Sequence, residues 1–265
     1  MAPSKREREY ARKRQDKWDE RRRAKQERNR RVAAVVAILA IFALVAGGAV
    51  VIGLTSDDEP QAGATSAATS AAGGCPEGAT QARSGGDAAP DPSVAEDRTW
   101  TTDVELCVDG ATETIGLELD GAAAPQAVAS FVSLAQQGYF DGTQCHRLTT
   151  QGIYVLQCGD PTATGTGDPG YSFGPVENAP SDDVYPAGTL AMARQGGNAE
   201  SMGSQFFLVY EDSTIPSDAA GGYTVFGTVT SGLDTIQAVA DAGTTDGSGD
   251  GSPVSPVIIE GVETQ

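Results

Sequence analysis

The chain has 265 residues, with 18 Lys/Arg against 36 Asp/Glu and a single histidine. Fourteen of the basic residues precede residue 32, whereas beyond residue 54 four basic residues, all arginine, face 30 acidic ones, a formal charge of −26. That balance excludes nucleic acid as a partner of the downstream part, since such binding needs a basic surface, and it reads more simply as a solubility feature.

Residues 1–31 are highly charged and rich in good helix formers, which predicts a basic, helical cytoplasmic segment. Val32–Leu54 follows with no charge in 23 residues. A helix of that length crosses a hydrocarbon core of about 30 Å. A cleaved signal peptide would have a shorter charged region and an apolar core of roughly 7–15 residues. The expectation is therefore an uncleaved single-pass membrane helix, with the basic flank in the cytoplasm, open to contact with anionic lipid, and the rest outside. Residues 55–98 are small, polar and poor in large apolar groups, and predict a flexible extracytoplasmic linker.

From residue 99 to 265 there is length for one domain with a real core. Short runs bounded by Gly, Pro, Asp or Ser predict eight strands, over 104–108, 115–119, 145–148, 154–158, 190–193, 206–210, 224–229 and 257–262. Two helices interrupt them. In PQAVASFVSLAQQG, Val128, Phe131, Val132 and Ala135 repeat at helical spacing, with Pro125 at the start and Gly138 at the stop. In GLDTIQAVADAG, Leu233, Ile236, Val239 and Ala240 do the same. The expected fold is mainly β: an eight-stranded antiparallel closed barrel with two capping helices.

The run CHRLTTQGIYVLQCGD, residues 145–160, holds the only histidine and, unusually for so acidic a region, an arginine within an apolar strand. Together with FVSLAQQGYFDGTQCHRL, LQCGDPTATGTG, GTLAMA, GSQFFLVY and YTVFGTV, in that order, it resembles the cyclophilin family of peptidyl-prolyl cis–trans isomerases. The wording CHRLTT…LQCGDP is most similar to the bacterial, membrane-anchored branch.

The resemblance implies a cofactor-free, metal-free isomerase of X–Pro bonds whose partners are proline-containing polypeptides. Arg147 falls on the catalytic arginine and Gln157 on the glutamine that would brace it. Tyr154 and Val155 fall on the floor of the proline pocket, Phe207 on its wall and Gln205 on a contact to the substrate backbone. Ala193 and Arg194 fall on the groove strand and Gly165 beside a neighbouring subsite. Ile215 occupies the region of a tryptophan used by many eukaryotic members, and Tyr223 stands where many members have histidine. Ala193-Arg194-Gln195 replaces a common Ala-Asn-Ala and would give the groove a charge, favouring an acidic residue near the proline. The stretches from Arg147 to Gln157 and from Ala193 to Gln205 are each two residues longer than usual.

Strand alternation places one of Phe206 and Phe207 in the core and the other in the groove, Phe206 being the core candidate. Four cysteines outside a membrane suggest disulfides, with three possible pairings. The preferred one is Cys75–Cys107 with Cys145–Cys158. Alternation puts Cys145 on the face of Arg147 but Cys158 away from that of Gln157, so the second bridge needs a bulge or twist. Adjacent Cys145 and His146 cannot easily ligate one ion from a strand, and their spacing fits no common zinc pattern. The rival reading is a proline-peptide binding or scaffold module with little turnover, motivated by Arg194, Gln195 and Tyr223.

Overall fold

A computed structural model describes residues 75–265. The basic segment 1–31, the expected membrane helix 32–54 and the first part of the linker lie outside the described residues. No helix among those described is long and apolar enough to cross a membrane.

Two long strands, β1 (Thr99–Val108) and β2 (Ala111–Asp120), form the first hairpin. Helix α1 (Pro125–Gln136) follows. Next come β3 (Arg147–Gln151), β4 (Ile153–Cys158), β5 (Val184–Tyr185), β6 (Thr189–Met192), β7 (Phe206–Val209), β8 (Ser213–Thr214) and β9 (Val225–Ser231). Helix α2 (Leu233–Ala242), β10 (Asp250–Gly251) and β11 (Val257–Thr264) complete the chain.

Nine strands make one antiparallel sheet in the order β10-β3-β4-β7-β6-β9-β2-β1-β11, while β5 and β8 form a separate ribbon. This is a curled nine-stranded sheet, a half-barrel, rather than the eight-stranded closed barrel expected. Residues 143–145, just before β3, hydrogen-bond to the start of β11 through Cys145 N to Val257 O and Ile259 N to Thr143 O. The strands missed by sequence, β5, β8 and β10, are two residues each, too short to show a period.

The inner face of the sheet and α1 enclose the main core, with Phe131, Phe140 and Phe206 in mutual ring contact and Leu156, Leu208 and Phe226 around them. No side chain caps the start of α1; instead the Glu177 carboxylate accepts from the backbone N–H groups of Gln126 and Ala127, where the helix dipole favours an anion. A second, smaller cluster lies on the opposite face: Val155, Tyr185, Ala191, Phe207, Val209 and Ile215. Alternation creates both. Along β7, Phe206 and Leu208 join the main core and Phe207 and Val209 the outer cluster.

Residues 75–98 correct the expectation of a free linker. Cys75 is bridged to Cys107, Arg83 donates to the carbonyls of Tyr139 and Asp141, and Gly85 N donates to Pro169 O. A 3-10 turn at Pro92–Ala95 buries Ala95, whose carbonyl accepts the indole N–H of Trp100. Cys75, Arg83 and Gly85 each depend on a partner distant in sequence, so the local composition reads as tether.

Candidate active site

The site is built on the outer face of four neighbouring strands, β3, β4, β7 and β6. In β3 and β4, Arg147 lies opposite Gln157, Thr149 opposite Val155 and Gln151 opposite Ile153. In β7, Phe207 lies opposite Gln157 and Val209 opposite Val155, while Ala191 of β6 faces Phe207 from the other side. Side chains two apart share a face, so Gln205 and Ala193 extend the row beyond the strand ends.

A cavity of about 140 Å³ opens here, lined by Arg147, Ile153, Val155, Gln157, Ala193, Arg194, Phe207, Ile215 and Tyr223. The Phe207 ring meets Tyr223 edge-on at 5.5 Å, and Val155 and Ile215 are buried beneath. A larger groove of about 620 Å³ continues past Gln157, Ala193 and Gln205 to Gly165, Gly167, Asp168 and Asn198. The loop bearing Gly165 is gathered around the Asp160 carboxylate, which accepts from the backbone N–H groups of Thr162, Thr164, Gly165 and Gly167. Gly159, which starts that loop, has φ +85, and a Cβ there would strike the carbonyl of Ser204.

Polar groups run along the cavity rim. Arg147 Nη1 donates to Gln157 Oε1 at 3.2 Å, Gln157 Nε2 to Gln205 Oε1 at 2.9 Å, and Gln205 Nε2 to the carbonyl of Gly167 at 2.8 Å. Arg147 is also clamped by Asp250, its Nε and Nη2 each donating at 2.7 Å. The Arg147 hydrogen bonds hold the Asp250 carboxyl below the usual carboxylate range, and Asp250 raises the pKa of the guanidinium. Sequence reading assigned the bracing of Arg147 to Gln157 and missed Asp250.

Of the residues singled out in the sequence, Arg147, Val155, Gln157, Ala193, Phe207, Ile215 and Tyr223 meet at the smaller cavity, and Gly165 and Gln205 line the larger groove. Tyr154 does not reach either. It packs against the main core, edge-on to Tyr210 at 6.0 Å, because it alternates away from Gln157 and Val155. Ile153 takes the place expected of it, and counting back in twos from Gln157 would have found it.

Arg194 also departs from expectation. Its side chain is fully buried. Nε donates to Gly222 O, Nη1 to Gln195 O and Asp218, and Nη2 to Asp218 and Gly221 O. All five of its donors are occupied, and its charge is neutralised by Asp218, whose pKa it lowers through those hydrogen bonds. The guanidinium carbon lies 4.7 Å from the centre of the Tyr223 ring, so Arg194 braces a cavity wall and offers the groove no free charge.

The cysteines pair as Cys75–Cys107 and Cys145–Cys158. The parity conflict over the second bridge disappears because β3 begins only at Arg147. Cys145 and His146, both buried, precede the strand and are not bound by its alternation. With both sulfurs in a bridge, no thiolate remains there for a metal.

The family model for cyclophilin type peptidyl-prolyl cis-trans isomerase/CLD matches residues 104–264. A protein described as a probable peptidyl-prolyl cis-trans isomerase B, from Mycobacterium tuberculosis, is 49% identical over 160 residues, covering 56% of this chain and 50% of that one. The chain thus spans about half the length of its mycobacterial relatives. The peptidyl-prolyl cis-trans isomerase B of Bacillus subtilis is 42% identical over 120 residues, 45% of this chain and 78% of the relative. Among solved structures, a cyclophilin type peptidyl-prolyl cis-trans isomerase of Cryptosporidium parvum, crystallised in the presence of the dipeptide Ala-Pro, superposes with a TM-score of 0.50 at 26% identity, covering 62% of this chain and 98% of that one. With the family model matching residues 104–264, more than half of its length, the chain belongs to the cyclophilin-type peptidyl-prolyl cis–trans isomerases.

Proposed function

We propose that the described domain isomerises X–Pro peptide bonds of extracytoplasmic polypeptides and so assists their folding. The observation that carries this reading is the placement of the Arg147 guanidinium at the rim of a small cavity with Val155, Phe207 and Ile215 in its wall. A cavity of about 150 Å³ is known to hold a benzene ring, so one of about 140 Å³ has room for a proline ring. The Ala-Pro dipeptide used with the Cryptosporidium protein is a substrate fragment of that kind.

Amide resonance sets a barrier of about 18–20 kcal/mol to rotation about the bond, and uncatalysed exchange at proline takes tens to hundreds of seconds. No bond breaks, so catalysis needs only tighter binding of the twisted amide than of either planar form. Twisting returns a lone pair to the proline nitrogen. A guanidinium N–H aimed there strengthens as the lone pair develops and does little before. Such a charge-assisted bond contributes about 1.5–3 kcal/mol, or roughly one to two decades of rate. The apolar walls, Val155, Phe207 and Ile215, desolvate the amide and hold the ring against rotation with its neighbour. The carbonyl side of the bond is then free to turn in the larger groove.

The apolar run Val32–Leu54 supports a membrane-anchored protein with this domain outside, as in the branch that its CHRLTT…LQCGDP wording resembles. Two disulfides fit an oxidising compartment. The binding-module reading loses its main motive, because Arg194 adds no unpaired charge to the groove. The test is catalysed cis–trans exchange of an Ala-Pro peptide by the purified protein. Turnover lost in Arg147→Ala and partly kept in Arg147→Lys supports the enzyme. A folded wild type that binds the peptide without accelerating exchange rejects it.

A further inference from the structure

Arg147 makes three hydrogen bonds, and they are unequal. The two to Asp250, at 2.7 Å, have the length of charge-assisted bonds and form a parallel fork, while the one to Gln157, at 3.2 Å, is long for a charged donor. Asp250 therefore fixes the plane and rotation of the guanidinium, and Gln157 takes what that rotation leaves. The pair is open to solvent, with 41% of the Arg147 side chain and 57% of the Asp250 side chain exposed. Exposed pairs add little to folding stability, so the value of this one lies in where it points the arginine.

The backbone sets Asp250 in place. Strand β10 has two residues, and its register puts Asp250 opposite Thr149 and hence diagonal to Arg147 on the same face of β3. The turn before it is tied by Ser248, whose N–H donates to Asp246 and whose hydroxyl donates to the Asp250 carbonyl. Asp250 takes Nε and one N–H of Nη2, on the side of the guanidinium away from Gln157. Of five donors, two remain, one on each terminal nitrogen. Nη1, which Asp250 does not hold and which bonds the cavity-lining Gln157, is the nitrogen placed to serve a substrate.

We propose that Asp250 is a positioning residue for the isomerase reaction: by holding Nε and Nη2 it presents Nη1 of Arg147 to the proline nitrogen of the substrate. Asp250 touches no substrate itself, and the assignment rests on the isomerase reading above. The proposal explains why a lysine would serve poorly at position 147. An ammonium has three donors on one freely rotating nitrogen and no planar fork, so a carboxylate that holds it does not fix the direction of the remaining donor.

The experiment is a double-mutant cycle on the full-length protein in detergent micelles, with an Ala-Pro peptide and with kcat and KM separated by exchange spectroscopy. Asp250→Asn in the arginine background is expected to lower kcat about three- to tenfold with KM little changed, the range that loss of one charged hydrogen bond in solvent allows. In the Arg147→Lys background the same change is expected to cost less than about twofold, because no fork remains to lose. Asp250→Glu, which keeps the charge but displaces the carboxylate, provides the same comparison if the asparagine variant is unstable. The Nε–H resonance of Arg147 should exchange slowly in the wild type and be lost in Asp250→Asn, a readout independent of turnover. An active wild type matched by Asp250→Asn, or equal losses in both backgrounds, overturns the positioning role alone. A wild type without turnover defeats the isomerase reading, while the Nε–H signal still reports the ion pair.

Discussion

Val155 and Tyr154 are neighbours on β4 that face opposite ways, and truncating each in turn tests the site directly. Val155 is 3% exposed and belongs to the outer cluster beneath the small cavity. Val155→Ala removes two methyl groups from the cavity floor. At about 0.8 kcal/mol per buried CH₂-sized group, the apolar burial that a bound proline ring forgoes comes to at most about 1.5 kcal/mol. That predicts a KM increase of about three- to tenfold, with kcat changed less because Arg147 and Gln157 stay in place. Tyr154→Leu keeps apolar bulk but removes the edge contact to Tyr210. The loss is about 0.5–1.5 kcal/mol of stability, with KM close to that of wild type as the expected outcome. Cis–trans exchange of an Ala-Pro peptide over a range of concentrations measures the first effect, and denaturant unfolding the second. If Tyr154→Leu raises KM as much as Val155→Ala does, the face assignment is wrong.

Further expectations concern charge, redox state and pH. Because Arg194 has no free donor, peptides with Glu, Ala and Lys before proline should show no preference that Arg194→Ala abolishes, and that substitution should instead lower the melting temperature; a Glu preference lost in the variant would show that the guanidinium reaches substrate. Replacing Cys145 and Cys158 by serine opens a loop of sequence separation 13, and chain entropy puts the cost at roughly 3 kcal/mol; unchanged urea unfolding would contradict it. Burial of His146 lowers its pKa below the ordinary value, with Asp160 opposing and Arg147 reinforcing the shift. The folded ring thus resists a proton that the unfolded chain accepts at roughly pH 6.5. Its stabilising contribution is complete above that pH and is lost as pH falls. The melting temperature should therefore drop between about pH 7.5 and about pH 5.5 in wild type, and drop less in His146→Leu.

Arg147, Gln157, Gln205 and Phe207 were legible in the sequence because each sits in a regular strand or next to one, where a motif fixes position and alternation fixes the face. Both helices were legible for the same reason of period. Tyr154 was misplaced because family wording was followed over two residues instead of parity from Gln157. The bridge between Cys145 and Cys158 looked strained because parity was extended two residues beyond the start of β3. Asp250 left no readable sign: it is one of 30 acidic residues beyond residue 54, in a two-residue strand within a stretch rich in glycine and serine, and its partner lies 103 positions away. Residues 75–98 were misread for a related reason, since Cys75 and Arg83 are anchored only by distant partners.

The four downstream arginines show what distinguishes a working residue in so acidic a domain. Charge pairing does not, because three of them hold a carboxylate: Arg98 with Glu96, Arg147 with Asp250 and Arg194 with Asp218. Arg83 instead bonds the carbonyls of Tyr139 and Asp141 and pins the incoming segment. Arg98 stacks over Trp100, its guanidinium carbon 3.7 Å from the ring centre, and ties the carbonyl of Gln265. Arg194 spends every donor on its own wall. Arg147 alone of the two at the cavity keeps donors unspent and 41% of its side chain exposed while its orientation is fixed from behind. Position, residual donors and a fixed plane together, and not the charge, single it out. Restoring a charge at position 147 as lysine should therefore recover only part of what arginine does.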